Sequence, residues 1–485
     1  MSQHAPLRPA DDAFLARLAA HLPEGALRPP EARHLTEPRG RWQGRAGALV
    51  LPRSTAEVAT IVRLCAEAGV GIVPYSGGTG LVGGQIAAGA GLPILIGFER
   101  MAAIRSADST EAVLVAEAGA ILADVQAAAE AAGMLFPLSL ASEGSARIGG
   151  LLATNAGGVN VLRWGNMRDL CLGVEAVMAD GRVLSGLKRL RKDNAGYDLR
   201  HLMIGSEGTL GIITAAALRL VPRPGARSAA MLAVRDPEAA LGLLRIAQDE
   251  ASGMVSAFET IHRCGFDFIA RTMPDLRTPF AEPPEWSVLV EIGTPATLDP
   301  EALMLALFDR GRAAGLALDG VLAASDAQRA ALWAVREAIP EANRRIGAVS
   351  SHDISVPLGA IPAFIREGGA ALARIDRFRV NCFGHLGDGN LHYNVFPIEG
   401  RTRADHEHQR PAIKGALHDL AHALGGSVAA EHGVGRLKVG DLERYGDPTK
   451  LAAMRAIKDA LDPRGILNPG AVLRAPAGQE PPPAA

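Results

Sequence analysis

Cysteine is scarce: Cys65, Cys171, Cys264 and Cys382 are the only four in 485 residues. None forms a Cys-x-x-Cys pair, which excludes the iron–sulfur, zinc-ribbon and dithiol redox motifs and fits a reducing compartment. Charge of one sign is lacking too. With 50 basic and 52 acidic side chains, a net charge of −2 and no block of like charge, the chain offers no field for a polyanion, so a small molecule or a protein is expected as partner and nucleic acid is not. No apolar run approaches the roughly 20 residues that a membrane-spanning helix needs. The opening MSQHAPLRPADDAF lacks the charged start and apolar core of a signal peptide. The expected location is cytoplasmic, with peripheral membrane contact left open. Lysine is confined to Lys188, Lys192, Lys414, Lys438, Lys450 and Lys458 while arginine is abundant, a bias of genome composition. No internal repeat is present.

A chain of this length exceeds one ordinary core and predicts two or three domains. Ser54-x-x-Glu57 starts an amphipathic helix over 55–68 that ends at Gly69. Strands are expected over 70–75, 92–98 and 112–117, a helix over 122–132, and a hairpin over 173–184 that turns at Asp180-Gly181. Val221-Pro-Arg-Pro-Gly225 stops helix and sheet alike and marks a boundary. Beyond it come helices over 237–250, 300–314, 327–345 (interrupted by Pro340) and 361–375, with strands over 287–293 and 352–356. The expected class is α+β, the second part an antiparallel sheet with helices on one face.

Ser76-Gly-Gly-Thr-Gly-Leu-Val-Gly-Gly84 follows a strand, and its glycines allow positive φ and expose successive amides, a concavity for phosphate oxygens. A diphosphate ligand is implied. No Gly-Lys-Ser/Thr follows, so this is not a Walker loop. Gly78-x-Gly80-x-x-Gly83 matches the dinucleotide fingerprint formally, with Glu99 about 20 residues on, but that fingerprint must open a helix and 84–91 is a poor one. Two more glycine-rich stretches, 142–158 and 205–211, carry small residues where a backbone must approach a cofactor.

In Val380–Phe396 (VNCFGHLGDGNLHYNVF), apolar residues alternate on both sides of Gly387-Asp388-Gly389, the pattern of an antiparallel hairpin. His385 and His392 fall on its two arms and can face one point. Glu431-His432, followed by Gly433-Val-Gly435, adds a carboxylate beside a third imidazole. Together they predict a two-His, one-carboxylate metal centre with a spare histidine for acid/base work. His21, His406, His408, His418 and His422 read as surface residues.

Pro74-Tyr-Ser-Gly-Gly-Thr-Gly80, Asn155-Ala-Gly-Gly158, Gly205-Ser-Glu-Gly-Thr-Leu-Gly211, Gly384-His-x-Gly-Asp-Gly-Asn-x-His392, Glu431-His-Gly-Val-Gly435 and Asn468-Pro-Gly470 together resemble the FAD-linked oxidases of the vanillyl-alcohol oxidase superfamily. The likeness runs over roughly 49–470 and is nearest the D-2-hydroxyglutarate, D-lactate and glycolate dehydrogenase branch. It implies a leader over 1–48, an FAD-binding domain over 49–222, a substrate-binding cap over 223–430, a segment over 431–474 returning to the flavin, and a disordered tail over 475–485. It further implies that FAD is held by Pro74, Ser76, Gly77, Gly78, Thr79, Gly80, Gly83, Ser142, Gly149, Asn155, Gly157, Gly158, Glu207, Gly208, Gly211 and Ile212, with Asn468 near the ring. No His or Cys in those loops suits a covalent bond, so the FAD is expected to be non-covalent.

The resemblance also assigns His385, His392 and Glu431 to a divalent metal, His432 to the base, and Arg336 to the substrate carboxylate. Zinc suits the ligand set, with manganese or cobalt as alternatives. The expected activity is oxidation of a D-2-hydroxy acid to the 2-oxo acid, with hydride passing to flavin N5. Electrons then leave to an external acceptor such as electron-transfer flavoprotein, quinone or cytochrome. D-2-hydroxyglutarate enzymes usually carry Ser or Thr where Pro340 stands and Lys where Ser351 stands, so D-lactate or another monoacid is an equal expectation. The alternatives are an FAD-binding subunit of a glycolate oxidase-type complex, and a non-redox relative of alkyl-ether phospholipid synthases, which the metal constellation disfavours. A homodimer is an open option.

Overall fold

The computed structural model describes residues 6–40, 43–87 and 91–474; the expected disordered tail, and parts of the expected leader, lie outside them. The chain divides into two compact units. The first comprises the described residues of Met1–Gly157, Gly165–Arg223 and Glu431–Ala485, and the second Gly158–Trp164 and Pro224–Ala430.

In the first unit, Ser54 caps the helix Thr55–Ala68 by accepting from the Glu57 amide, and Gly69 ends it at φ 68°. The Glu57 carboxylate reaches past the cap to the Arg53 amide, at 2.8 Å. Val58, Ile61, Val62 and Cys65 recur at helical spacing and are all 0% exposed. They pack on Ile72, Ile94 and Ile96 of the sheet beneath, where each fully buried aliphatic side chain contributes about 1.5–3 kcal/mol. That sheet runs Leu27–Arg28, Ala48–Val50, Ile94–Gly97, Ile72–Tyr75, the last three strands parallel. The loop after Ile72–Tyr75 opens no helix, which separates it from the dinucleotide fingerprint. A second sheet of five antiparallel strands is ordered Ile104–Asp108, Val113–Glu117, Ile212–Arg219, Cys171–Val177, Val183–Gly186. The C-terminal stretch closes the unit: Ile72 donates to the Ile466 carbonyl and Asn468 to that of Ile72, each at 2.8 Å.

The second unit is built on seven antiparallel strands ordered Ala317–Leu322, Ala226–Val234, Trp286–Thr294, Val255–His262, Phe378–His385, Asn390–Pro397, Ser350–Ser355. Helices cover both faces, not one. Ala229, Met231 and Ala233 pack against the helices Arg263–Thr272 and Asp326–Ile346. Leu232, on the opposite face, lies with Phe308 of the helix Pro300–Ala313 over Gly320. With both faces covered, the central strands are buried along nearly their whole length rather than alternating between buried and exposed.

Pro340 does not interrupt its helix. Asp326–Ile346 is continuous, because Leu332, Val335, Arg336, Ile339, Ala342 and Asn343 bury one face around it while the pyrrolidine faces solvent. Two of the five histidines read as surface are buried instead. His418 is 4% and His406 1% exposed. His418 Nε2 meets His352 Nδ1 at 3.2 Å, a partner 66 residues away that the local sequence does not reveal, and His406 Nδ1 meets Gln409 Oε1, three residues on in the same helical turn, at 2.8 Å.

Candidate active site

The hairpin forms with its arms at Phe378–His385 and Asn390–Pro397. A single turn, Leu386–Asp388, joins them and Gly389 closes it at φ 85°. Any side chain there would also strike the Val356 carbonyl, 2.4 Å from a Cβ. Phe383 stands opposite His392, so by strand alternation His385 is the diagonal neighbour of His392 on the same face. Their rings lie 5.5 Å apart at 78°.

Glu431 follows directly on Ala430, the last residue of the second unit, and is tethered to it by one peptide bond. One ligand atom each from His385, His392 and Glu431 all lie within 4.8 Å of one another. Zinc at about 2.0–2.1 Å from each donor would space them about 3.4 Å apart, so they need draw in by no more than about 1.4 Å. Two imidazoles and a carboxylate are a donor set that a divalent ion of the zinc type accepts.

Glu259, which the sequence analysis missed, lies beside His385 in the register of Val255–His262. It is 1% exposed. Its Oε1 accepts from His385 Nδ1 at 2.7 Å and its Oε2 from Arg336 Nε at 2.8 Å, with Arg336 Nη2 in ion-pair contact 2.7 Å from the same oxygen. Burial would raise this carboxyl, but the His385 and Arg336 charges and hydrogen bonds outweigh it and hold the group at about 2. The signal was present in the sequence: an acid inside the apolar run Val255-Ser-Ala-Phe-Glu-Thr-Ile261 must be paired. Arg336, 6% exposed, stacks over Phe383 with its guanidinium carbon 4.8 Å from the ring centre. It is therefore neither an ordinary solvated helical arginine nor a wholly free fork. Across the hairpin, Asp353 stands opposite His392 and its Oδ1 accepts from Asn390 Nδ2 at 2.9 Å.

In the first unit the glycine loops converge. The Gly150 amide donates to Ser76 Oγ at 3.0 Å, and the Glu207 amide to the Ala153 carbonyl at 2.8 Å. Asn468 Nδ2 donates to the carbonyls of Glu207 at 2.7 Å and Gly84 at 3.1 Å. Added Cβ atoms would lie 2.3 Å from the Ser145 oxygen at Gly77, 2.8 Å from Ala118 at Gly149 and 2.5 Å from Pro74 at Gly208. Among the described residues the amides of Gly77, Gly78, Thr79 and Gly80 have no protein acceptor. Successive amides left without acceptors are what a diphosphate cradle needs, and in that respect the loop fits FAD. Gly83, whose carbonyl accepts from Arg436, and Asn155, at φ 52°, belong to the same loops. Ser142 supplies the carbonyl that the Ala146 amide meets at 2.8 Å. Gly157 ends a segment of the first unit and Gly158 begins one of the second. Gly211 abuts the Met203 sulfur, 2.9 Å from an added Cβ, and Ile212 is a core residue, 1% exposed.

Beyond His432 the chain is anchored firmly. Glu207 accepts the Val434 amide at 2.8 Å and the Gly435 amide at 2.7 Å. Burial pushes its carboxyl up to about 7 against those two amides and the Arg436 charge. Arg436 donates to Gly84, Pro469 and Asn468 as well as Gly83.

Residues 46–186 match the family described as FAD binding domain, and 223–472 that described as FAD linked oxidases, C-terminal domain. A mitochondrial D-2-hydroxyglutarate dehydrogenase of Arabidopsis thaliana is 36% identical over 434 residues, 89% of this chain and 76% of that one. A D-2-hydroxyglutarate dehydrogenase of Xanthomonas citri pv. viticola is 37% identical over 431 residues, 89% and 90% of the two chains. The solved structure of p-cresol methylhydroxylase with substrate bound superposes at a TM-score of 0.74 and 15% identity over 97% of this chain and 99% of that one, which shows a common fold. No helix among the described residues is long and apolar enough to cross a membrane.

Proposed function

The chain belongs to the FAD-linked oxidases, and from that membership we propose that it oxidises a D-2-hydroxy acid to the 2-oxo acid with a divalent ion held by His385, His392 and Glu431. The observation that carries this reading is the approach of those three donors to within 4.8 Å. FAD, held non-covalently by the loops of Ser76–Gly80, 142–158 and 205–211, supplies the acceptor for the hydride from the substrate Cα. A divalent ion at the donor set, most simply zinc, supplies the Lewis acidity that brings an alcohol proton within reach of an imidazole.

The remaining work falls to the chain's own side chains. His432, next to Glu431, takes the hydroxyl proton. Arg336 holds the substrate carboxylate with the edge of its guanidinium that Glu259 leaves over, since Nε already donates to Glu259 and Nη2 is in ion-pair contact with it. Glu207 and Arg436 fix the stretch that follows His432 and so limit the movement of the base.

D-2-hydroxyglutarate is the first substrate to test, because the relatives named above are dehydrogenases of that acid. D-lactate is the second reading, favoured by two positions. Pro340 sits one turn from Arg336 on the same helix. Ser351 lies on the His392 face of the sheet, two residues from Asp353. Pro340 offers no side-chain donor, and Ser351 offers a hydroxyl but no positive charge, for a second carboxylate. Electrons pass to an external acceptor such as electron-transfer flavoprotein, quinone or cytochrome. The test is a panel of D- and L-2-hydroxy acids added anaerobically to the flavin-loaded chain, before and after chelation. Bleaching by D-acids that disappears on chelation is expected; bleaching by L-acids alone would overturn the reading.

A further inference from the structure

We propose that Glu259 is a positioning residue that fixes a metal ligand and the substrate arginine at once; this rests on the metal centre proposed above. Because Glu259 Oε1 takes the His385 Nδ1 proton at 2.7 Å, the imidazole is committed to one tautomer, and Nε2 is the nitrogen left with a lone pair for an ion. Carboxylates that accept from a ligating imidazole orient the ring and raise its basicity, and their loss typically costs 10- to 100-fold in metal affinity. The same carboxylate's other oxygen holds Arg336 through Nε and Nη2, and the Phe383 face holds the guanidinium from its flat side.

A carboxylate serving only as the buried counter-ion of Arg336 would need neither the His385 bond nor its register. Glu259 stands directly across from His385 between adjacent strands, so the ligand's partner is set by the sheet itself and not by a mobile loop. At 1% exposure water cannot take over the task. Each function of the site, ion and acid recognition, is thus tied to one rigid group.

The test compares Glu259→Gln, Arg336→Met and the double variant E259Q/R336M, all loaded with zinc and FAD. The readout is the rate at which zinc passes to a chromogenic chelator, with melting temperature as the control for folding. Glu259→Gln should release zinc about 10- to 100-fold faster than wild type. R336M, which keeps the Glu259–His385 bond, should release it within about threefold of wild type. The double variant restores the charge balance, its melting temperature checks the fold, and it should still release zinc fast. A double variant that holds zinc as tightly as wild type would overturn the role of Glu259 while leaving the metal centre standing. A wild-type chain that binds no zinc would overturn both.

Discussion

Replacing Gly77 with alanine tests the cofactor cradle at its tightest point. The new methyl would lie 2.3 Å from the Ser145 carbonyl oxygen and 3.1 Å from the Ala146 Cα. An ordinary carbon–oxygen contact is about 3.3 Å, so the loop must retreat by roughly an ångström from backbone that cannot swing aside. A retreat of that size spoils the alignment of the unpartnered amides that follow, since hydrogen bonds weaken steeply with angle. Each amide bond to a charged oxygen contributes about 1.5–3 kcal/mol, so losing two weakens FAD binding by about 3–6 kcal/mol, or about 10²- to 10⁴-fold. Fluorescence titration of deflavinated protein with FAD measures this directly. Gly440→Ala is the control, because nothing lies within 4 Å of a Cβ there. If G77A binds FAD as tightly as wild type, the 76–80 loop does not hold the diphosphate and the assignment of the cradle fails.

Glu207 gives a pH signature. Its folded carboxyl, at about 7, sits above the ordinary glutamate value of about 4.3, so its contribution to stability is full below about pH 4.3 and is lost as pH rises through 7. The loss is roughly 4 kcal/mol at about 1.4 kcal/mol per unit. Urea midpoints should therefore fall more between pH 5 and pH 8 in wild type than in Glu207→Gln; parallel falls would refute the assignment. A combined Pro340→Thr and Ser351→Lys change should raise kcat/KM for D-2-hydroxyglutarate relative to D-lactate by about tenfold, the scale of one charge-assisted contact. An unchanged ratio would remove both positions from substrate selection.

Much of this architecture is written locally, and those parts are legible in the sequence. The helix Thr55–Ala68 carries its start, its apolar stripe and its stop between Ser54 and Gly69. The hairpin carries its own turn and alternation, so His385 and His392 could be placed on one face before any coordinates. The strands Ala226–Val234 and Val255–His262 were not read, because a sheet covered on both faces loses the period of two that marks a strand; the edge strand Ala317–Leu322, partly exposed, shows no alternation in its sequence ALDGVL. Glu259 escaped for a related reason. Its partners lie 77 and 126 residues away, and nothing in the neighbouring sequence announces them. Arg336 was identified through the resemblance, but its burial against Glu259 depends on the same distant pairing. The buried His352–His418 contact likewise joins a strand and a helix 66 residues apart.

The central claim is a divalent ion on His385, His392 and Glu431. Elemental analysis of the purified chain, alongside His385→Ala and His392→Ala, tests it most directly. The account predicts about one zinc, manganese or cobalt ion per wild-type chain, and loss of that ion from both variants while their FAD content stays at the wild-type level. Equal metal content in wild type and both variants would contradict it.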